Sequence, residues 1–352
     1  MIVDTHNDLL SELAFRKREA NPFRRYWEDQ LRTGGVGLQV CAVYASVDRL
    51  PEGALPDALQ QVAACHRAIR EGRGRIVLVR TPRDLVGLDP EQRLGLILAL
   101  EGAEPLGRSV ELAEIFWELG VRIVGLTWNN RNAFADGAGE PERGGLSRVG
   151  RQLVDQLIEL GMILDLAHAS QGTFADVLER ASGAPVIVSH AACRAVLDHP
   201  RNLWDDQLRA LAAAGGILGL MAHPLVVDPT RPTMDRYLDH LDHAVEIMGI
   251  KHVGIGADFI RQVALAGAAS DSGQTLLPAG MSLSASLDSF EGPADYPRLV
   301  AAIEKRGYTG DDLQAILGGN FLRLFSESLP DPAASPDADA YSQDLSSNYV
   351  KS

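Results

Sequence analysis

Residues 162–190 read MILDLAHASQGTFADVLERASGAPVIVSH. Two short, nearly continuous apolar runs, Met162–Leu166 and Val186–Ser189, flank a longer amphipathic stretch, and a histidine follows each run within two residues. Runs of this kind, bounded by turn residues, fit parallel strands buried on both faces. The same unit recurs along the chain. Further strand-like runs are Ile2–Thr5, Gly37–Ala45, Leu94–Leu100, Val121–Leu126, Ile217–Met221 and His252–Gly256. Helical periodicity covers Ala58–Glu71, Gly150–Leu160, Asp205–Ala214 and Met234–Met248, with Ser147 placed as a helix cap. Strands alternating with helices predict an α/β fold with a parallel sheet, and eight such units predict a closed (β/α)8 TIM-type barrel. A single domain is expected over residues 1–329, followed by an extended polar tail over 330–352. The stretch Gln262–Ser282 is rich in Gly, Ala and Ser and lacks a period. It follows the eighth strand, so in a barrel it lies on the catalytic face, where long loops are functional or disordered.

Composition narrows the function. The chain has 352 residues and a net charge of −14, which leaves no excess of cations to displace counterions from nucleic acid or to dock on an anionic membrane. Cys41, Cys65 and Cys193 are too few and too scattered for a disulfide framework or a cysteine zinc site. The opening Met1-Ile2-Val3-Asp4 shows no basic or apolar leader, and no run approaches the ~18–20 apolar residues of a membrane span. The expectation is a soluble cytoplasmic protein.

In a barrel the C-terminal ends of the strands carry the chemistry. Here they carry His6 and Asp8, Glu101, His168, His190 and Asp258. Each has a plain alternative when taken alone. Asp8 can cap a helix, Glu101 can be emerging into solvent, and a single histidine is more often a core residue than a ligand. Six such groups at the ends of five strands change the balance. Three histidines, a bridging carboxylate and an aspartate suffice for two divalent ions that share a hydroxide and polarise a carbonyl. His66, His240 and His243 fall on helices, His199 in a loop and His252 at the opposite end of its strand. His223 lies just past the seventh run and is an open candidate for a substrate contact. There is no P-loop, no Gly-x-Ser-x-Gly and no His-Glu-x-x-His. Gly254 and Gly256 lack the third glycine of a dinucleotide site.

An ordered set of short motifs then carries a resemblance over residues 1–326. They are Asp4-Thr5-His6-Asn7-Asp8, the run from Gly37 through Gln39 to Tyr44, Ala99-Leu100-Glu101-Gly102, Gly125-Leu126-Thr127, Asp165-Leu166-Ala167-His168, Ser189-His190, Pro200-Arg201-Asn202, Gly254 to Phe259 and Gly318 to Arg323. The chain resembles the membrane (renal) dipeptidase family of zinc metallopeptidases, within the amidohydrolase-like barrels. The resemblance implies a binuclear zinc dipeptidase acting on L-Xaa-D/L-Xaa dipeptides through a metal-bridging hydroxide. It implies that His6 and Asp8 bind one Zn2+, that His168 and His190 bind the second, and that Glu101 bridges both. Asp258 would move the proton, and Arg201 would pair with the substrate's terminal carboxylate. Read without the resemblance, Arg201 is a surface cation beside Asp205 and Asp206. A homodimer is the family's usual state. The chain departs from the pattern at Trp128, where animal members carry a carbonyl-polarising histidine, and Asn129 or Asn130 is the candidate replacement donor. It departs again at Ile260-Arg261, ahead of the long loop. Two alternatives follow: an amidohydrolase for a small amide other than a dipeptide, and a non-catalytic metal-binding barrel.

Overall fold

The structure is a computed structural model, and it describes residues 1–140, 144–269 and 276–331. Nine parallel strands form one sheet: β1 (Ile2–Asn7), β2 (Val36–Tyr44), β3 (Ile76–Leu78), β4 (Leu94–Glu101), β5 (Val121–Gly125), β6 (Ile163–Asp165), β7 (Val186–Ala191), β8 (Ile217–Leu220) and β9 (Val253–Ile255). β1 lies between β2 and β9, and from β9 the order runs back strand by strand to β4. β4 then pairs with β2, from Leu38 opposite Gly95 to Tyr44 opposite Glu101, and closes an eight-stranded barrel. The expected eight strands are those of the barrel. The ninth, β3, is absent from the sequence reading. It pairs only with the first three residues of β4, below the point where β5 joins at Leu98. Three residues are too few to show a period.

The four expected helices are present as Ala54–Gly72, Arg148–Glu159, Asp205–Ala213 and Met234–Met248, the first beginning at Ala54 rather than Ala58. The Ser147 hydroxyl accepts from the Gly150 N–H at 3.0 Å, the cap read from sequence.

Two apolar layers hold the barrel. Val3, Val40, Ile97, Ile123, Ile163 and Ile187 fill its interior, and Phe321, Leu324 and Phe325 of the last helix, Asn320–Ser328, plug the bottom. A second layer, with Leu9, Trp27, Leu153, Leu208 and Leu241, lies between strands and helices. Each such side chain contributes on the order of 1.5–3 kcal/mol by leaving water. The glycines on either side of Ile255 exist for packing. A Cβ on Gly254 would sit 2.6 Å from the Phe321 ring, and one on Gly256 would sit 1.9 Å from the Ser189 carbonyl oxygen. The Thr5 hydroxyl, buried in the same place, lies 2.6 Å from the Ser189 carbonyl and 2.9 Å from that of Ile255, joining β1, β7 and β9.

The tail expected over 330–352 lies, from residue 332 on, outside the described residues. Among the described residues, no helix is long and apolar enough to cross a membrane.

Candidate metal centre and cavity

The upper end of the barrel gathers the six strand-end residues, and most of them stand where regular strand geometry stops. Val3 and Thr5 face the barrel interior, so a regular β1 would turn His6 outward. The β1–β2 register shifts between Asp4 and Asn7. The β7–β8 register likewise shifts between Val188 and Ala191, bracketing His190. Such irregularities re-aim a side chain. His168 and Asp258 have φ of 62° and 57°, a left-handed conformation uncommon outside glycine. Glu101 alone continues its strand's inward face, after Ile97 and Ala99.

The atoms converge. One Glu101 carboxylate oxygen, Oε2, lies 3.6 Å from His6 Nε2. The other, Oε1, lies 3.0 Å from His168 Nε2 and 3.6 Å from His190 Nε2. The two Nε2 atoms of His168 and His190 are 2.8 Å apart. His6 Nε2 also lies 4.0 Å from Asp8 Oδ1 and 3.9 Å from Asp258 Oδ1. The plain alternatives for two of these residues are overturned. Asp8 precedes the helix Leu9–Phe15 but makes no capping hydrogen bond. The Glu101 side chain is 9% exposed and therefore not a group emerging into solvent.

The local electrostatics call for a cation. Burial pushes the Asp8 carboxyl up to about 7. Burial, then the charges of Asp8 and Asp258, holds Glu101 well above the usual carboxylate range. Burial and Asp8 do the same to Asp258. Burial also depresses the histidines: His6 falls to about 3, and His168 and His190 lie well below the ordinary imidazole value. Neutral imidazole is the ligand form, and crowded carboxylates are relieved by a metal. Two atoms make the fit specific. His6 Nε2 and Asp8 Oδ1 are buried with no hydrogen-bond partner, and a metal would satisfy both. His6, Glu101 and His190, and separately His6, Asp8 and Asp258, present donor atoms all within 4.8 Å of one another.

The residues expected around the substrate divide into different roles. Trp128, with Tyr44 5.3 Å and His168 5.8 Å from it between ring centroids, forms an aromatic wall. Asn129 points its Oδ1 at His168 Nδ1, 2.8 Å away, so it accepts from Nδ1–H and leaves the Nε2 lone pair facing Glu101. That engages the amide oxygen, whereas an oxyanion of the substrate would call on the Nδ2 donor. Arg201 is 3% exposed, which overturns its reading as a surface cation. Its Nη2 donates to the His190 carbonyl at 3.1 Å, and its charge faces Glu101 and Asp258. His223 borders the cavity, but both ring nitrogens are used: Nδ1 accepts from Leu225 N–H at 3.2 Å, and Nε2 lies 3.3 Å from the Leu283 carbonyl.

Sequence reasoning gave no role to His199 and Tyr44. His199 repeats the His223 arrangement, with Nδ1 accepting from Arg201 N–H and Nε2 3.3 Å from the Leu276 carbonyl. Burial lowers both histidines to about 4, so they stand neutral and tie down the loop after β9. Tyr44 lies in register with Glu101 on the neighbouring strand, so both side chains face the same cavity. Strand register supplies that signal once β2 and β4 are known to be neighbours. Asp8, Tyr44, Glu101, Trp128, Asn129, His168, Arg201, His223 and Asp258 line one cavity of about 550 Å³, within the ~300–1,000 Å³ of small-molecule sites.

The profile of the family described as membrane dipeptidase (peptidase family M19) matches residues 1–274. Dipeptidase verJ of Clonostachys rogersoniana is 32% identical over 268 residues, which is 76% of this chain and 63% of that protein. Dipeptidase 3 of Rattus norvegicus is 31% identical over 346 residues, 93% of this chain and 64% of that one. The chain therefore spans slightly under two thirds of the length of these relatives. Among solved structures, a metallo peptidase from Rhodobacter sphaeroides liganded with a phosphinate mimic of L-Ala-D-Ala superposes with a TM-score of 0.79. It is 24% identical, over 94% of this chain and 99% of the other, and bears on the fold. A second, titled dipeptidase AC, gives a TM-score of 0.80 at 24% identity over 93% and 98%.

Proposed function

The chain belongs to the membrane dipeptidase family, peptidase family M19, and from that premise we propose that it hydrolyses the amide bond of dipeptides with two bound zinc ions. The observation that carries the proposal is the split of the Glu101 carboxylate, one oxygen toward His6 and the other toward His168 and His190. His6 and Asp8 would hold one ion, His168 and His190 the second, with Glu101 shared. Nitrogen and oxygen donors of this kind suit zinc. When bound, the ions supply Lewis acidity to the carbonyl and lower the pKa of water.

The chain's own residues do the rest. Arg201 holds the substrate's terminal carboxylate. Its guanidinium is buried, uses one donor on the His190 carbonyl and turns a planar fork toward the cavity. That anchor fixes the scissile carbonyl toward the strand-end donors and sets the substrate's length. Asp258, beside His6 and raised by burial, accepts the proton of the attacking water and delivers it to the leaving nitrogen as the C–N bond breaks. Asn129 keeps His168 in the tautomer that offers Nε2. Trp128 and Tyr44 close one side against water.

The test is amino-acid release from a dipeptide panel by zinc-loaded protein, with Asp258→Asn alongside. Release by the parent and at least a ~100-fold loss in the variant, metal content unchanged, is expected. Equal turnover by the variant refutes the role of Asp258. No release from any dipeptide with zinc bound refutes the dipeptidase reading.

A further inference from the structure

We propose that the wall beside Arg201 is an apolar subsite for the side chain of the substrate's carboxyl-terminal residue, so that preferred substrates end in an uncharged, bulky residue. The inference rests on the dipeptidase reading and adds the substrate class.

Barrel order maps the rim. Arg201 lies on the segment after β7. The next segments around the ring follow β8 and β9, and they contribute Met221, Leu225, Ile260, Leu277 and Leu283 to the cavity. Met221, Leu225 and Ile260 are buried, and the two leucines of the loop after β9 are partly so. On the other side, the segments after β1 and β2 contribute Ser11, Lys17, Ser46 and Arg49, together with the apolar Ala14 and Phe15. Lys17 and Arg49 have no cationic counterpart among the described lining residues that follow β8 and β9.

The apolar half is fastened to the segment that bears Arg201. Asn202 Nδ2 donates to the Val226 carbonyl at 2.8 Å. His199, whose Nδ1 accepts from Arg201 N–H, reaches the Leu276 carbonyl, and His223 reaches that of Leu283. A carboxylate held by Arg201 therefore brings the α-carbon next to it against this wall. The charged neighbour on the loop side, Arg261, pairs with Glu291 at 3.1 Å and the Ser284 carbonyl at 2.9 Å and does not line the cavity. Among the described residues, Asp258 is the only charge that the segments after β8 and β9 bring to the cavity, and it is engaged at the cluster. A charged side chain placed here would lose its water without gaining a partner, whereas an apolar one gains by burial.

The experiment uses zinc-loaded protein and Ala-Leu, Ala-Met, Ala-Asp and Ala-Lys, each with L and D forms of the second residue, against Ala-Ala as reference. In the better-cleaved stereochemical series, kcat/KM for the Leu and Met substrates is expected to exceed that for Asp and Lys by at least ~10-fold. Leu283→Lys, at a partly exposed position, is expected to raise Ala-Asp relative to Ala-Leu by a similar factor. Cleavage of Ala-Ala with Asp or Lys substrates equal to or better than Leu overturns the subsite and leaves the dipeptidase standing. A folded Leu283→Lys protein with the parent's preference overturns the placement of this wall. Cleavage of none of the peptides overturns both readings.

Discussion

Asn129→Leu tests how the metal centre is held. The Asn129 Oδ1 to His168 Nδ1 contact is 2.8 Å long, and its two residues are 2% and 6% exposed. Leucine keeps the branched skeleton of asparagine but removes the acceptor, stranding the Nδ1–H at a cost of about 1–3 kcal/mol. The imidazole can escape by moving its proton to Nε2, but that proton then occupies the position a metal needs. Either route weakens the donor set proposed to hold an ion at His168 and His190. Loss of such an outer partner typically costs ~10–100-fold in metal affinity, about 1.4–2.7 kcal/mol. Asn129→Asp keeps an acceptor and adds charge, so affinity at the same site is expected to hold or rise. Competition against a chromophoric chelator, with metal per chain measured after dialysis, reads both variants. Thermal unfolding of metal-free protein checks that each still folds. An Asn129→Leu protein that binds both ions as tightly as the parent refutes the positioning role.

Other outcomes follow from single contacts. Arg201→Lys exchanges a planar fork for a point charge and is expected to lower kcat/KM by at least ~30-fold, about 2 kcal/mol, for free dipeptides. It should make little difference with dipeptide amides, whose carboxylate is gone, and equal losses on both substrates contradict the anchor. Thr5→Val removes the single hydroxyl proton that the Ser189 and Ile255 carbonyls share and is expected to cost roughly 1–3 kcal/mol in urea unfolding. A variant within about 0.3 kcal/mol of the parent argues against that tie. His223 has a folded-state value of about 4 against the ordinary 6.5, so its stabilising contribution is full above 6.5 and is lost as pH falls toward 4. Protonated Nδ1 would point a hydrogen at the Leu225 N–H. From pH 7 to pH 5 the cost is roughly 2 kcal/mol, and His223→Asn, which keeps a capping acceptor, should flatten that part of the stability–pH curve. An unchanged slope refutes the assignment.

The sequence exposed those parts of the molecule whose signal is local. Eight apolar runs, the residues at their ends and a serine at a helix start are legible because strand burial and capping need only neighbours along the chain. β3 was illegible at three residues. Arg201 was illegible in a different way: it lies eleven residues beyond His190 on a segment without a period, and only tertiary packing buries it. The aim of His6 and His190 was also hidden, since alternation along a regular strand would send both outward and the register shifts around them depend on neighbouring strands. Asn129 offered an amide to either substrate or imidazole, and the choice was made by the approach of β6 to the turn after β5. His199 read as a loop residue and His223 as a candidate substrate contact because the carbonyls at their Nε2 atoms lie more than fifty residues away.

Those carbonyls have a consequence for how the protein can change. The loop after β9 is fastened through the main-chain oxygens of Leu276 and Leu283, which every residue possesses. The Leu283 side chain, and that of Leu277 next to the other tie, line the cavity. Attachment and selectivity are thereby separated along one stretch of chain. Mutation can exchange the lining without loosening the fastening, and the metal cluster below is left untouched. A descendant of this protein could acquire a new substrate by drift in the loop alone, whereas loss of either histidine would undo one of the ties that hold it.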